Sequence, residues 1–196
     1  MIKAIIFDCF GVLYPDTYWT MAHEYLGQNL ETHRQQLHDL VKRVDLGHIT
    51  RDQLWHEFAS IVGEDVEAVY ARLDEFNGLD KRLLNFIENN KSSYKFGMIS
   101  NVGQGFIERM FKDKPVEHYF DSIVLSSEVG IVKPDRRIYE LSAKQLRCDV
   151  NECVFLDDIA RNADGAVAAG MQSIQYRDYT QAMPELEKLL AADADE

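Results

Sequence analysis

Long apolar runs are missing from this chain of 196 residues. No stretch approaches the roughly 18 apolar residues that mark a bilayer-spanning helix, so no membrane partner is expected. The opening Met1-Ile2-Lys3-Ala4 leads straight into a strand-like run, without the small-residue cleavage pattern that follows a longer hydrophobic segment. That argues against a signal peptide and for a cytoplasmic location. Positive charge is also scarce: 21 Lys and Arg stand against 33 Asp and Glu, a formal net charge of -12. Such a surface repels a phosphate backbone and offers no basic stripe, so nucleic acid is not an expected partner. Cysteine is sparse: Cys9, Cys148 and Cys153 have no metal-ligand spacing, and two of them sit beside hydrophobic runs where a small reduced thiol fits. Histidines are scattered, and His33 and His38, five apart on one expected helix, point to different faces, so zinc has no ligand set.

What is present is enough apolar material to bury a core, 46% of residues against 28% charged. The length suits one medium domain, or a core of about 120 to 130 residues carrying a smaller module. Short apolar, partly β-branched stretches recur at Ala4–Phe7, Lys95–Ile99, Ser122–Leu125, Cys153–Leu156 and Ser173–Tyr176, separated by helical patterning. That rhythm predicts an α/β fold with a mostly parallel sheet. Asp80 is placed to cap a helix bearing Leu83, Leu84, Phe86 and Ile87, and Asp135 to cap one bearing Ile138, Tyr139, Leu141 and Leu146. Gly170 is placed to end the helix of Ala163, Ala166, Val167 and Ala168, and Pro184 to open a last helix with Leu186, Leu189 and Leu190.

Between Tyr14 and Gly78 the strand-helix rhythm stops. Leu37, Leu40, Val41 and Val44 form one helical stripe. Thr50 and Gln53 form a capping box ahead of Leu54, Phe58, Ile61 and Val62, and a third stripe carries Val66, Val69, Tyr70, Leu73 and Phe76. Because this block separates the first strand from the others, it is expected to be a helical insertion folded over the sheet's carboxyl edge, where open α/β sheets bind ligands. Tyr14, Tyr18, Trp19, His23 and Tyr25 cluster at its start and serve either as a lid over that edge or as the insertion's own core. Arg34, Lys42, Arg43 and Arg51 read as charges on solvated helix faces rather than as ligands.

Four ordered motifs then resemble the haloacid dehalogenase-like hydrolase superfamily, in the subgroup with a helical cap after the first strand. They are Asp8-Cys9-Phe10-Gly11-Val12, Met98-Ile99-Ser100-Asn101, Gly130-Ile131-Val132-Lys133-Pro134-Asp135, and Phe155-Leu156-Asp157-Asp158 with Asn162 and Gly165. Singly, each has a structural use: Asp157-Asp158 as a helix cap, Ser100-Asn101 as a loop, Lys133 as a solvated lysine held out of a helix by Pro134. Together, and in this order across nearly the whole chain, they are specific. The resemblance implies a Rossmann-like three-layer core with a mostly parallel sheet, residues 1–13 and 79–196, plus a small all-helical cap domain at 14–78.

It also implies a chemistry. Asp8 is the expected nucleophile, Ser100 and Lys133 the further catalytic residues, and Asn101, Tyr14 and Tyr18 the substrate-binding ones. Asp8, Asp158 and the carbonyl of Phe10 are the expected ligands of Mg²⁺, with Asp157 as an indirect one; hard oxygen ligands select magnesium. The expected substrate is a small phosphate ester, hydrolysed through an aspartyl-phosphate, and the expected assembly a monomer or homodimer. Position 10 departs from the family pattern, which has an aspartate there as general acid and base. Phe10 therefore predicts a phosphatase with an impaired acid, or one relocated to Asp16, Tyr18 or His23. Two alternatives follow from the same departure. One is a weak or inactive homologue that binds phosphorylated ligands. The other is a metal-independent dehalogenase, whose halide leaves without a proton; the paired carboxylates of Asp157-Asp158 argue against it.

Overall fold

The computed structural model describes residues 1–76 and 78–192. The last residues of the expected core segment, 193–196, lie outside that description, as does Asn77. A five-stranded sheet forms the centre: β1 (Ala4–Phe7), β2 (Lys95–Ser100), β3 (Ser122–Leu125), β4 (Cys153–Asp157) and β5 (Gln172–Gln175), in the order β3-β2-β1-β4-β5. Every pairing is parallel, and Ile6 lies opposite Gly97 on one side and Phe155 on the other. The strand order reverses at β1, so β1, β2 and β4 end side by side, which makes a crevice at the sheet's carboxyl edge.

Period-two alternation sorts the strand residues into two faces. Ile5 and Phe7 point with Phe96, Met98, Val154 and Leu156 into one buried cluster. Ala4 and Ile6 point with Ile99, Val124, Cys153 and Phe155 into the other. Both faces are covered, as an all-parallel sheet requires. The insertion supplies α1 (Thr17–Leu26), α2 (Leu30–Asp45), α3 (Arg51–Val62) and α4 (Val66–Asp74). Next come α5 (Lys81–Asn90) and the short α6 (Phe106–Met110) and α7 (Ser126–Val129), then α8 (Arg136–Leu146), α9 (Ala160–Ala169) and α10 (Tyr179–Ala192). Leu83 and Ile87 of α5 and Met183 and Leu186 of α10 close the first cluster, while Ile138, Tyr139 and Ala166 of α8 and α9 close the second.

The anticipated caps form. Asp80 accepts from the Arg82 amide at 2.8 Å and Asp135 from the Arg137 amide at 3.0 Å. Thr50 and Gln53 make their reciprocal capping box, and Gly170 ends α9 with a left-handed φ of 107°. The last helix departs from expectation: Pro184 lies inside α10 rather than opening it. Asp178 supplies an earlier start, its carboxylate accepting from the Gln181 amide at 2.9 Å, and burial of Ala182 and Met183 holds the added turn against the sheet.

Helices α1 to α4 have a core of their own, built on Met21, Leu37, Leu40, Trp55, Phe58 and Val69. The end of α2 is seated on the strand-end loops: Ser126 Oγ donates to the Asp45 carbonyl at 2.6 Å and accepts from the Val102 amide at 2.9 Å. Gly103 permits this approach, because a Cβ there would fall 2.5 Å from Val44 Cγ2. Gly103→Val is therefore expected to destabilise the fold by about 1–3 kcal/mol through overpacking. Thermal unfolding followed by circular dichroism checks this, and an unchanged midpoint would show that the helix end does not rest on that loop.

Candidate active site

Three strand ends deliver the polar residues. Asp8 follows β1, Ser100 closes β2 and Asp157 closes β4, all buried. Lys133 comes from the turn between α7 and α8 and is 2% exposed. Its ammonium stands 2.8 Å from Asp8 Oδ2 and 2.6 Å from Asp157 Oδ2, with the Phe155 ring 5.2 Å away. Burial works against that ammonium, but Asp8 and Asp157 outweigh it and hold its pKa above the ordinary lysine value.

The lysine is held through its backbone as well. The Asn101 side chain accepts from the Lys133 amide at 2.8 Å and donates to the Lys133 carbonyl at 3.2 Å. The Asn101 side chain thus fixes the lysine loop. Asp157 is fully committed: beyond Lys133, it accepts from the Ile159 amide at 2.8 Å and from the Asn162 side-chain amide at 3.1 Å. Asp8 Oδ1 takes the Cys9 amide at 2.6 Å. Asp158 is different, since its buried Oδ1 has no hydrogen-bond partner among the described residues. Ser100 Oγ is likewise buried and unpartnered there.

Asp8, Asp157 and Asp158 each offer an oxygen within 4.8 Å of the others. Burial raises the Asp8 carboxyl well above its ordinary value, against the pull of Lys133, and Asp157 and Asp158 add to the rise. Burial, then Asp157 and Asp16, push Asp158 up to about 6. One lysine does not balance three carboxylates in this space, and a hard divalent cation would relieve both the repulsion and the orphaned Asp158 oxygen. The donor set fits magnesium, with all ligands oxygen and no thiolate or imidazole in the group. Gly11 makes room for the Asp158 carboxylate. Its φ is +79°, and a Cβ there would lie 2.3 Å from Asp158 Cγ.

The expectation drawn from Phe10 is corrected by this geometry. The acidic triad is intact, so the substitution at position 10 does not mark a broken site. Phe10 packs edge-on against Tyr14 and Phe106, with ring centroids 6.1 and 6.2 Å away. The residues offered as a relocated acid have other employment: Asp16 caps α1 through the Trp19 amide, Tyr18 donates to the Leu37 carbonyl at 3.0 Å, and His23 is exposed on α1. The metal-free dehalogenase reading leaves the concentrated carboxylates without a cation, and the inactive-homologue reading, which rested on the substitution at position 10, falls with the impaired-acid one because the triad is intact.

Tyr14 stays near the site, half-buried against Phe10, whereas Tyr18 lies among Trp19, Trp55 and Phe58 inside the helical layer. A residue that the sequence did not single out is Asp45, at the end of α2. Burial pushes its carboxyl up to about 7, although the Lys133 charge pulls the other way. Nothing in the local sequence marks it, because its surroundings exist only once α2 is seated on the loops.

Comparison with known proteins gives the family. The family model for haloacid dehalogenase-like hydrolases matches residues 2–170. Drimenol cyclase of Aspergillus calidoustus is 25% identical over the whole of this chain, which spans only 38% of the cyclase. D-ribitol-5-phosphate phosphatase of Bacteroides thetaiotaomicron is 24% identical over 89% of this chain and 92% of its own length. A HAD family enzyme from the same organism, in complex with magnesium and inorganic phosphate, superposes with a TM-score of 0.72 at 21% identity, over 93% of this chain and all of that one.

Two predictions follow from the site. Magnesium at about 100 times its dissociation constant is expected to stabilise the native fold by about 2.7 kcal/mol. Asp158→Asn and Gly11→Ala should each lose most of that gain in differential scanning fluorimetry, and a gain equal to the native one in both would place the cation elsewhere. Separately, a folded Asp45 carboxyl raised from 3.8 to about 7 binds a proton that the unfolded chain releases, so its contribution to stability is lost as pH rises through that window. Relative to native, Asp45→Asn should gain up to about 4 kcal/mol between the bottom and the top of the window. Denaturant titrations at both ends check this, and a parallel pH profile for the two proteins would contradict it.

Proposed function

The chain belongs to the haloacid dehalogenase-like hydrolases, and from that premise we propose that it is a magnesium-dependent phosphatase of small phosphate esters, with Asp8 as nucleophile. The observation that carries this reading is the intact group of Asp8, Asp157 and Asp158 within 4.8 Å of one another at the sheet's carboxyl edge. The segment 14–78 is proposed as the inserted cap domain, on the strength of its separate apolar core. A cytoplasmic protein, monomeric or homodimeric, completes the reading.

In this mechanism Asp8, Asp158 and the Phe10 carbonyl would hold the cation, and Asp157 would support it through neighbouring groups. When bound there, the metal would supply positive charge to the phosphoryl oxygens. A carboxylate oxygen of Asp8 attacks phosphorus, the bond from phosphorus to the leaving oxygen breaks, that oxygen takes a proton from solvent to depart as the alcohol, and an aspartyl-phosphate forms. Lys133 neutralises charge on the phosphoryl group and keeps the Asp8 carboxylate aimed through its 2.8 Å contact. Ser100 Oγ, free of other partners among the described residues, donates to a phosphoryl oxygen. The Asn101 side chain holds the Lys133 loop in place, so its contribution to substrate binding is made through that loop and its own backbone. Water then attacks phosphorus and gives up a proton to solvent, the bond from phosphorus to the Asp8 oxygen breaks, and phosphate leaves with the carboxylate restored.

Steady-state hydrolysis of an aryl phosphate, with magnesium and with chelator, tests the reading. Activity should require the metal and should fall by about 10⁴-fold or more in Asp8→Asn. Equal turnover by Asp8→Asn and native protein, or indifference to chelator, would overturn it.

A further inference from the structure

A cavity of about 430 Å³ opens between the helical cap and the core, beginning at Phe10, two residues beyond Asp8. Its apolar wall includes the rings of Phe10, Tyr14 and Phe106. Charge in it runs against the rest of the molecule: Arg51, Arg109 and Lys112 line it with a single acid, Asp74, in a chain of net charge -12. Asp74 is engaged with Arg109 at 2.9 Å. Arg51 has only a 3.5 Å approach to Asp52, a carboxylate that also receives the Tyr70 hydroxyl at 3.1 Å.

Arg51 is not the solvated helix-face charge that its sequence suggests. Its side chain is 16% exposed, and its guanidinium sits 5.5 Å from the Tyr70 ring centroid and 5.7 Å from that of Phe106. Stacking of this kind fixes the planar fork and leaves donors free for an anion. Burial and the nearby Arg109 both work against the Arg51 charge, as for a cation awaiting a counter-ion. An independent sign comes from Trp55, which is 2% exposed and lines the same cavity, yet its indole N–H has no partner among the described residues. An unmet buried donor costs free energy in the empty pocket and recovers it when an acceptor arrives.

We propose that this cavity binds the leaving-group half of the substrate, and that this half is a flat or apolar scaffold carrying a second anionic group recognised by Arg51 beside Arg109, with an acceptor facing Trp55. The inference rests on the phosphatase reading and narrows it to phosphate esters with a second negative charge. Arg51 and Trp55 are then specificity residues, and Asp8 and Lys133 act on the phosphoryl end.

The test compares phenyl phosphate with para-carboxyphenyl phosphate. In parallel, phenol and para-hydroxybenzoate are titrated calorimetrically into the metal-free protein. The native protein should favour the carboxylated ester in kcat/KM, and bind para-hydroxybenzoate over phenol, by about ten-fold or more. Arg51→Met should abolish both preferences and Arg51→Lys restore part of them; Arg109→Met serves as a second variant if Arg51→Met does not fold. Equal treatment of the two esters and of the two phenols by native protein would overturn the inference, as would preferences that survive in both arginine variants. If neither ester is turned over while para-hydroxybenzoate binds in an Arg51-dependent way, the phosphatase reading fails and anion recognition by the cavity stands.

Discussion

Everything at the carboxyl edge of the sheet depends on one buried ammonium. Lys133 Nζ lies between Asp8 and Asp157, and three carboxylates would not share so small a volume without it. The rest of the fold can be read as the means of putting that ammonium there. The reversal of strand order at β1 brings the ends of β1 and β4 together, Asn101 from the end of β2 clasps the lysine's backbone, and the Ile159 amide and the Asn162 side chain donate to Asp157. Two of the buried oxygens there that have no partner among the described residues are instructive. Asp158 Oδ1 and Ser100 Oγ are the places where a cation and a phosphoryl oxygen would complete the arrangement.

The helical cap adds the second constraint. It docks at the end of α2, where Ser126 and the lack of a side chain at Gly103 allow close approach, and it roofs a cavity whose sign of charge is opposite to that of the protein as a whole. Anion hydrolysis by an acidic molecule, as proposed, needs such a local reversal, since field lines focused in a cleft can override a repulsive surface. Phe10 belongs to this part of the site. It forms the wall shared by the reaction centre and the cavity, and its ring packs edge-on against Tyr14 and Phe106.

Most of the scaffold was legible in the sequence because its causes are local. Short apolar, partly β-branched runs located all five strands to within a residue at either end, and Asp80, Asp135, Thr50 and Gly170 announced helix ends through hydrogen bonds to residues only two to four positions away. Pro184 misled, because the fixed φ that favours a helix start does not forbid an interior position when Asp178 and buried Ala182 begin the helix earlier. The carboxylates of the site were legible as motifs, but their meaning was not: a substitution at position 10 suggested damage that the intact triad does not bear. Arg51 and Asp45 were read as surface or passed over, since the environment of each is made by segments distant in sequence. Periodicity places a residue on a helix, and only tertiary packing decides what that face meets.

The central claim is that phosphorus passes through Asp8. It is tested most directly by hydrolysing an ester with an isotopically chiral phosphoryl group and reading the configuration of the phosphate released. Two successive in-line displacements, first by Asp8 and then by water, predict retention of configuration. Inversion would mean that water attacks phosphorus in a single step, and would contradict the role assigned to Asp8.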